Sequence, residues 1–173
     1  MSQVVILTGE RGVGKSTVCR ETAALAEQRG YRCRGIITMA HHGVRDVVDV
    51  GSGLRRRLTR PSGEGRTVVQ GRFRFDPQTL SWGSETLSGA TPCDLLLVDE
   101  IGPLEVERGE GWVTALDTVR TGDYALAVVV VRPELVTEVL AELSGTAPQV
   151  LAVTRENRDR LPVRLVDAAE REM

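Results

Sequence analysis

The chain has 173 residues, 41% of them hydrophobic and 27% charged, with a formal net charge of −2. That is enough for one domain with a packed core, and it leaves no global basic field to recruit nucleic acid or an anionic membrane. Aromatics at 3% argue against base-stacking platforms, and no apolar run approaches the ~20 residues of a membrane span.

Cys19, Cys33 and Cys93 are odd in number, far apart and never C-x-x-C, so neither a disulfide framework nor a zinc site reads from them. Met-Ser-Gln leads straight into an apolar run without a charged leader, and a reduced, cytoplasmic setting is expected.

In chain order, residues 4–8 are a short apolar run ended by Gly9 and predict a buried strand. Residues 16–28 carry helical periodicity and stop at Gly30. A second strand is expected over 33–38, and 44–50 alternates as an exposed or edge strand would. Residues 51–66, rich in Gly and Arg, predict a turn or loop. Residues 67–76 alternate around Gly71 and are expected to pair back on the earlier strand as a hairpin. Residues 77–87 suit a short helix. Residues 94–98 are a strongly apolar strand ending in Asp99-Glu100. A helix over 111–120, a buried strand over 125–131 and a helix over 133–143 with Pro133 at its start follow. A last core strand at 150–153 leads into a short C-terminal helix or tail. The fold class is therefore α/β: a three-layer domain spanning 1–173, with a mainly parallel sheet and an antiparallel insertion around 44–76.

Gly9-Glu10-Arg11-Gly12-Val13-Gly14-Lys15-Ser16 fits G-x-x-x-x-G-K-[ST] at every fixed position, between an expected strand and an expected helix. Such a loop turns its backbone N–H groups inward as an anion nest, and the helix N-terminus adds partial positive charge. Lys15 is expected on the β- and γ-phosphates, Ser16 on Mg²⁺, and Thr17 near the α-phosphate. Of the 22 basic residues, Lys15 is the one lysine. A sequence that otherwise uses Arg marks with Lys a place where a wide planar fork does not fit and a thin stem does.

Leu95-Leu96-Leu97-Val98-Asp99 has the Walker B pattern. A buried strand next to the first would deliver Asp99 to the magnesium. Glu100 follows and is the candidate general base for an attacking water. Asp99-Glu100-Ile101-Gly102 also fits the D-x-x-G of GTP switches. Those switches read guanine with N-K-x-D, and the single lysine excludes that pattern.

Together with Gly35-Ile36-Ile37-Thr38, Asp99-Glu100-Ile101-Gly102-Pro103-Leu104-Glu105 and Val153-Thr154-Arg155-Glu156-Asn157-Arg158, the loop resembles the small cancer-related nucleoside-triphosphatases of archaea, bacteria and animals. The resemblance spans nearly the whole chain, including Gly71 to Asp76. It implies slow Mg²⁺-dependent hydrolysis of triphosphates such as ATP and GTP, with limited choice of base, on a RecA-like sheet. The chain departs from the family's usual pattern at Met39-Ala40-His41-His42, where acidic residues are common, and at Pro103-Leu104, where Lys-Met often stands.

Several residues carry two readings. Asn157, the one Asn, and Arg158 could lie beside the base, or Asn157 could cap a turn. One of Arg55, Arg56 and Arg57 could close over the γ-phosphate as an arginine finger, or the three could be a solvated loop. Arg132 could approach the site, Glu105 could be a second acid near the metal, and Trp82 and Trp112 read as packing residues. The leading function is triphosphate hydrolysis with Lys15 and Glu100 catalytic and Ser16 and Asp99 on the metal. A small-molecule P-loop kinase and a nucleotide-gated adaptor are the alternatives. The protein partner is left open.

Overall fold

A computed structural model of the chain describes residues 2–173. The apolar runs become strands and the segments between them helices. The order is β1 (Gln3–Thr8), α1 (Lys15–Gln28), β2 (Cys33–His41), β3 (Val44–Asp49), β4 (Arg55–Arg57), β5 (Val68–Gln70), β6 (Phe73–Phe75), α2 (Pro77–Ser88), β7 (Leu95–Ile101), α3 (Pro103–Val106), α4 (Ala115–Thr121), β8 (Leu126–Val131), α5 (Val136–Glu142), β9 (Gln149–Ala152) and α6 (Leu161–Glu170). Seven strands form one sheet in the order β4-β3-β2-β7-β8-β1-β9. The pairs from β2 through β9 are parallel, and β3 and β4 extend the sheet antiparallel.

The parallel strands β1, β7 and β8 read as largely apolar runs because both faces are covered, whereas β9, expected as a core strand, is a mostly exposed edge. Successive side chains leave a strand on opposite sides. Val4, Ile6, Leu96, Val98 and Val129 pack with Leu87 of α2, Val119 of α4 and Val139 of α5. Val5, Leu7, Leu95, Leu97 and Val128 pack with Val18 and Ala23 of α1 and Leu165 and Val166 of α6. Each fully buried Leu, Ile or Val contributes about 1.5–3 kcal/mol, so this double-faced core holds the parallel part of the sheet together. It is a three-layer α/β fold of the RecA-like kind.

Three further expectations change. Asp99 does not sit on a strand next to β1, because β8 lies between β1 and β7. All six residues of β8 are buried, and only a central position covers both faces and both edges of such a strand. Residues 51–66 are not all loop, since Arg55–Arg57 pairs with β3. That occupies the outer edge of β3, so residues 67–76 cannot add there. They close on themselves instead as the β5–β6 hairpin, touching the main sheet's neighbourhood through a Thr59–Phe75 bridge. The helix expected from residue 111 begins at Ala115, and the short α3 precedes it.

The hairpin leads directly into α2. Asp76 caps that helix by accepting from Gln78 N (3.0 Å), Pro77 occupies its first turn, and Arg60 pairs with Asp76 at 2.9 Å. This anchors the inserted segment to the core.

Candidate active site

The loop after β1 is held from three sides. Gly9 has φ +144°, and a Cβ there would stand 2.6 Å from the Val153 carbonyl, so the chain passes too close to the exit of β9 for any side chain. Gly14, with φ +112°, is the N-cap of α1. Arg158 reaches back to donate from Nη1 to the Val13 carbonyl at 3.1 Å. Lys15 is 8% exposed and threads the loop, its Nζ donating to the carbonyls of Gly9 (2.7 Å) and Glu10 (2.9 Å). A guanidinium has no comparable path through that curl.

At the end of β7, Asp99 is 1% exposed. Its carboxylate accepts from Thr38 N at 3.2 Å and from the Ser16 hydroxyl, and Lys15 lies near enough to act on it by charge. Thr38 Oγ1 donates to the Asp99 carbonyl at 2.7 Å, which fixes β2 to this strand end. Burial pushes the Asp99 carboxyl up to about 7, against the opposing pull of the Ser16 hydrogen bond. The next residue, Glu100, pairs through Oε1 with Arg132 Nε at 3.0 Å. Arg132 follows β8, so the strand inserted between β1 and β7 is the one that brings a cation to Glu100.

These groups open into a cleft of about 1150 Å³. Its walls are the P-loop with Thr17 and Arg20, the end of β2 through His41, Arg45 of β3, residues 70–73 of the hairpin, Asp99 and Glu100, and residues 132–134. Phe73 carries three guanidiniums around its ring: Arg45 at 4.2 Å, Arg72 at 5.1 Å and Arg11 at 5.7 Å. Arg45 is shifted down by burial, and Arg11 and Arg132 add repulsion that Glu100 opposes.

The sequence candidates are distributed as follows. Gly9, Arg11, Gly12, Gly14, Lys15, Ser16, Thr17, Asp99 and Glu100 come together on the cleft. The Glu10 carbonyl accepts from Lys15 within the loop, and the Val13 carbonyl accepts from Arg158 outside it. Asn157 does not line the cleft. Its Oδ1 accepts from Thr154 N (2.8 Å) and its Nδ2 donates to the Ala152 carbonyl (2.8 Å), so both ends of the amide staple the turn after β9. Arg158 lies on the outside of the loop, against Gly14.

Glu105, expected as a candidate second acid near a metal, is spent on backbone N–H groups instead. Its Oε2 accepts from Gly102 N (2.8 Å) and its Oε1 from Trp112 N (2.9 Å), and burial pushes it up to about 6. Arg55, Arg56 and Arg57 are away from the cleft: Arg55 pairs with Asp46, and Arg56 stacks on Trp82 at 4.7 Å. The guanidiniums at the cleft are instead those of Arg11, Arg20, Arg45, Arg72 and Arg132. Thr38, Arg45, Arg72 and Phe73 had not been singled out as site residues. One signal was available, because both phenylalanines of the chain fall within three residues of each other, at 73 and 75.

A family profile described as NTPase matches residues 4–166. Among similar proteins are the nucleoside-triphosphatase THEP1 of Methanosarcina acetivorans, 31% identical over 170 residues and covering 94% of each chain, and that of Methanopyrus kandleri, 32% identical over 176 residues and covering 96% of this chain and 95% of the relative. Two solved structures share the fold. A human cancer-related nucleoside triphosphatase has a TM-score of 0.76 at 24% identity and covers 99% of this chain and 100% of that one. THEP1 from the hyperthermophile Aquifex aeolicus has a TM-score of 0.74 at 19% identity, covering 97% and 99%. The chain belongs to the NTPase family, and it is a nucleoside-triphosphate phosphohydrolase.

Proposed function

We propose that the chain, working as one P-loop domain over 1–173, hydrolyses triphosphates such as ATP and GTP to diphosphate and phosphate with Mg²⁺. The observation that carries this reading is the meeting of Ser16 and Asp99, a hydroxyl from the P-loop and a buried carboxylate from β7, beside Lys15.

That pair fits a magnesium ion. Both donors are hard oxygens, and Mg²⁺ is commonly held by one or two carboxylates together with substrate phosphates and water. The Asp99 carboxylate is buried to the point of being pushed up to about 7, which is the state a nearby divalent charge would reverse. Ser16 and Asp99 would hold the ion, which when bound would neutralise charge on the β- and γ-phosphates.

The chain's own groups do the rest. Loop N–H groups and Lys15 take the phosphate oxygens. Lys15 has three donor hydrogens, and the two now on carbonyls can turn to phosphate. Glu100 orients a water in line with the γ-phosphorus and accepts its proton. The water oxygen bonds to phosphorus, the bond from phosphorus to the β,γ-bridging oxygen breaks, and its electron pair leaves with the diphosphate. Arg132, already at Glu100, faces the charge that develops on the γ-phosphoryl oxygens.

The test is direct. Purified protein is incubated with Mg²⁺ and each of ATP, GTP, CTP and UTP, with products separated by chromatography. Diphosphate and free phosphate are expected, and a chelator abolishes both. Silence until a small-molecule acceptor is added would overturn hydrolysis in favour of phosphoryl transfer.

A further inference from the structure

The hydrolytic reading uses Lys15, Ser16, Asp99, Glu100 and Arg132. It leaves the hairpin end of the cleft unexplained. There Arg11, Arg45 and Arg72 crowd one aromatic ring, and among the described residues none of the three forms an ion pair with a carboxylate. Glu100 and Asp99 act on Arg45 by charge from a distance, and Glu100 is already paired with Arg132. A ring quadrupole attracts a guanidinium but does not neutralise it. Arg45 is half-buried and Arg11 and Arg72 are exposed, and three like charges gathered on one wall of the cleft repel one another and favour an anion.

A second observation points the same way. Gln70 lines this part of the cleft, and its Nε2 is buried with no hydrogen-bond partner. A buried donor without an acceptor is costly, and a local shift that met an acceptor would relieve it.

The cleft is also large for a single small ligand. Arg45 lies on β3, four strand positions from β1, yet its guanidinium and that of Arg11 in the P-loop share the Phe73 ring. The cleft of about 1150 Å³ lies above the roughly 300–1,000 Å³ of a pocket for one small ligand.

We propose that Arg11, Arg45 and Arg72, gathered around Phe73, form a second anion subsite that holds a phosphate dianion beside the nucleotide. This rests on the triphosphate occupying the P-loop. The dianion has two sources, the phosphate released from the nucleotide or a phosphomonoester arriving from outside. Guanidinium forks match the paired oxygens of either.

The experiment is calorimetric titration of inorganic phosphate, and separately phenyl phosphate, into protein saturated with Mg²⁺ and a non-hydrolysable ATP analogue. Binding is expected in the presence of the analogue. It should weaken at least about tenfold in the Arg45→Gln/Arg72→Gln double variant, the scale of one charge-assisted hydrogen bond. An Arg55→Gln/Arg57→Gln control, which removes the same charge elsewhere, should change it less than about twofold. Binding of both probes means the subsite admits a phosphomonoester, and binding of phosphate alone assigns it to the released product. Absence of phosphate binding once the analogue is bound overturns the subsite, as does equal weakening in both double variants. If the analogue itself fails to bind, the P-loop reading falls, and titration of the nucleotide-free protein decides. Phosphate binding that survives Lys15→Ala and is lost in Arg45→Gln/Arg72→Gln supports the subsite, and the reverse pattern overturns it.

Discussion

The parallel strands and the antiparallel extension share β2 and are built differently on its two sides. Cys33–Ile36 pairs with β7, whose residues are almost all buried, while Ile36–His41 pairs with β3. Beyond β3 lies β4, three arginines that are all exposed. The β8 strand at the centre has no exposed residue at all. The covered half fixes the P-loop, Asp99 and Glu100, because two packed faces leave those strand ends no freedom. The open half carries cations on short strands, with Arg45 and the hairpin turned toward the cleft and Arg55 and Arg56 turned away. Position in the rigid half would then set the chemistry, and the open half would set what else can enter.

The largest effect is expected at Lys15. Lys15→Ala should reduce phosphate release to background, and Lys15→Arg should do nearly as badly despite keeping the charge. The amine now fits between the carbonyls of Gly9 and Glu10, where a planar fork clashes. Steady-state phosphate release checks both, and full activity in Lys15→Arg would show that the loop is not tight.

Glu105 tests the packing side of the rigid half. Glu105→Ala strands the N–H groups of Gly102 and Trp112. At ~1–3 kcal/mol for each orphaned buried donor, the loss of stability should be about 2–6 kcal/mol. The denaturation midpoint measures it. An unchanged midpoint would mean that the turn between β7 and α4 is held by other contacts.

That turn also shows where the sequence stops being readable. The P-loop, the apolar runs of β1, β7 and β8, and the Asp99-Glu100 strand end are local patterns, and each was legible as such. Glu105 was not, because its two partners are fixed by how the chain folds between residues 102 and 112. Arg132 was readable only as an arginine at a strand end that could approach the site, and its pairing with Glu100 comes from β8 lying next to β7, which no local pattern states. The pairing of residues 67–76 was misjudged for a similar reason. Alternation marks a strand but not its partner, and β4 had taken the edge. Asn157 carried a true signal, being the one Asn, but its amide is spent on Thr154 and Ala152.

A pH effect should follow from burial in the rigid half. Asp99 is pushed up from 3.8 to about 7 and Glu105 from 4.5 to about 6. Both folded values exceed the unfolded ones, so the folded chain holds protons that the unfolded chain has released. Nucleotide-free stability should therefore fall as pH rises from about 4 to about 7. Urea midpoints across that range check it. Asp99→Asn should flatten the upper part, between about 6 and 7, and an unchanged slope would remove Asp99 as the source.

The smallest effects belong to the outer edge. Arg55→Ala breaks an exposed pair with Asp46 and should cost less than about 1 kcal/mol. Hydrolysis should be unchanged, because Arg55 does not reach the cleft. A large fall in turnover with normal stability would restore the finger role to this strand.

The central claim is that the C-terminal end of β7 separates metal binding from proton transfer, and Glu100→Gln tests it most directly. The substitution keeps size and one acceptor oxygen but removes the basic carboxylate, while Ser16, Asp99 and Lys15 are untouched. Mg-nucleotide affinity by calorimetry is measured beside single-turnover hydrolysis, with Asp99→Asn in parallel. The account predicts near-normal affinity in Glu100→Gln with hydrolysis slowed on the order of 10²-fold or more, and a loss of Mg²⁺ dependence in Asp99→Asn. Near-normal hydrolysis in Glu100→Gln, or equal loss of binding and turnover, would contradict it.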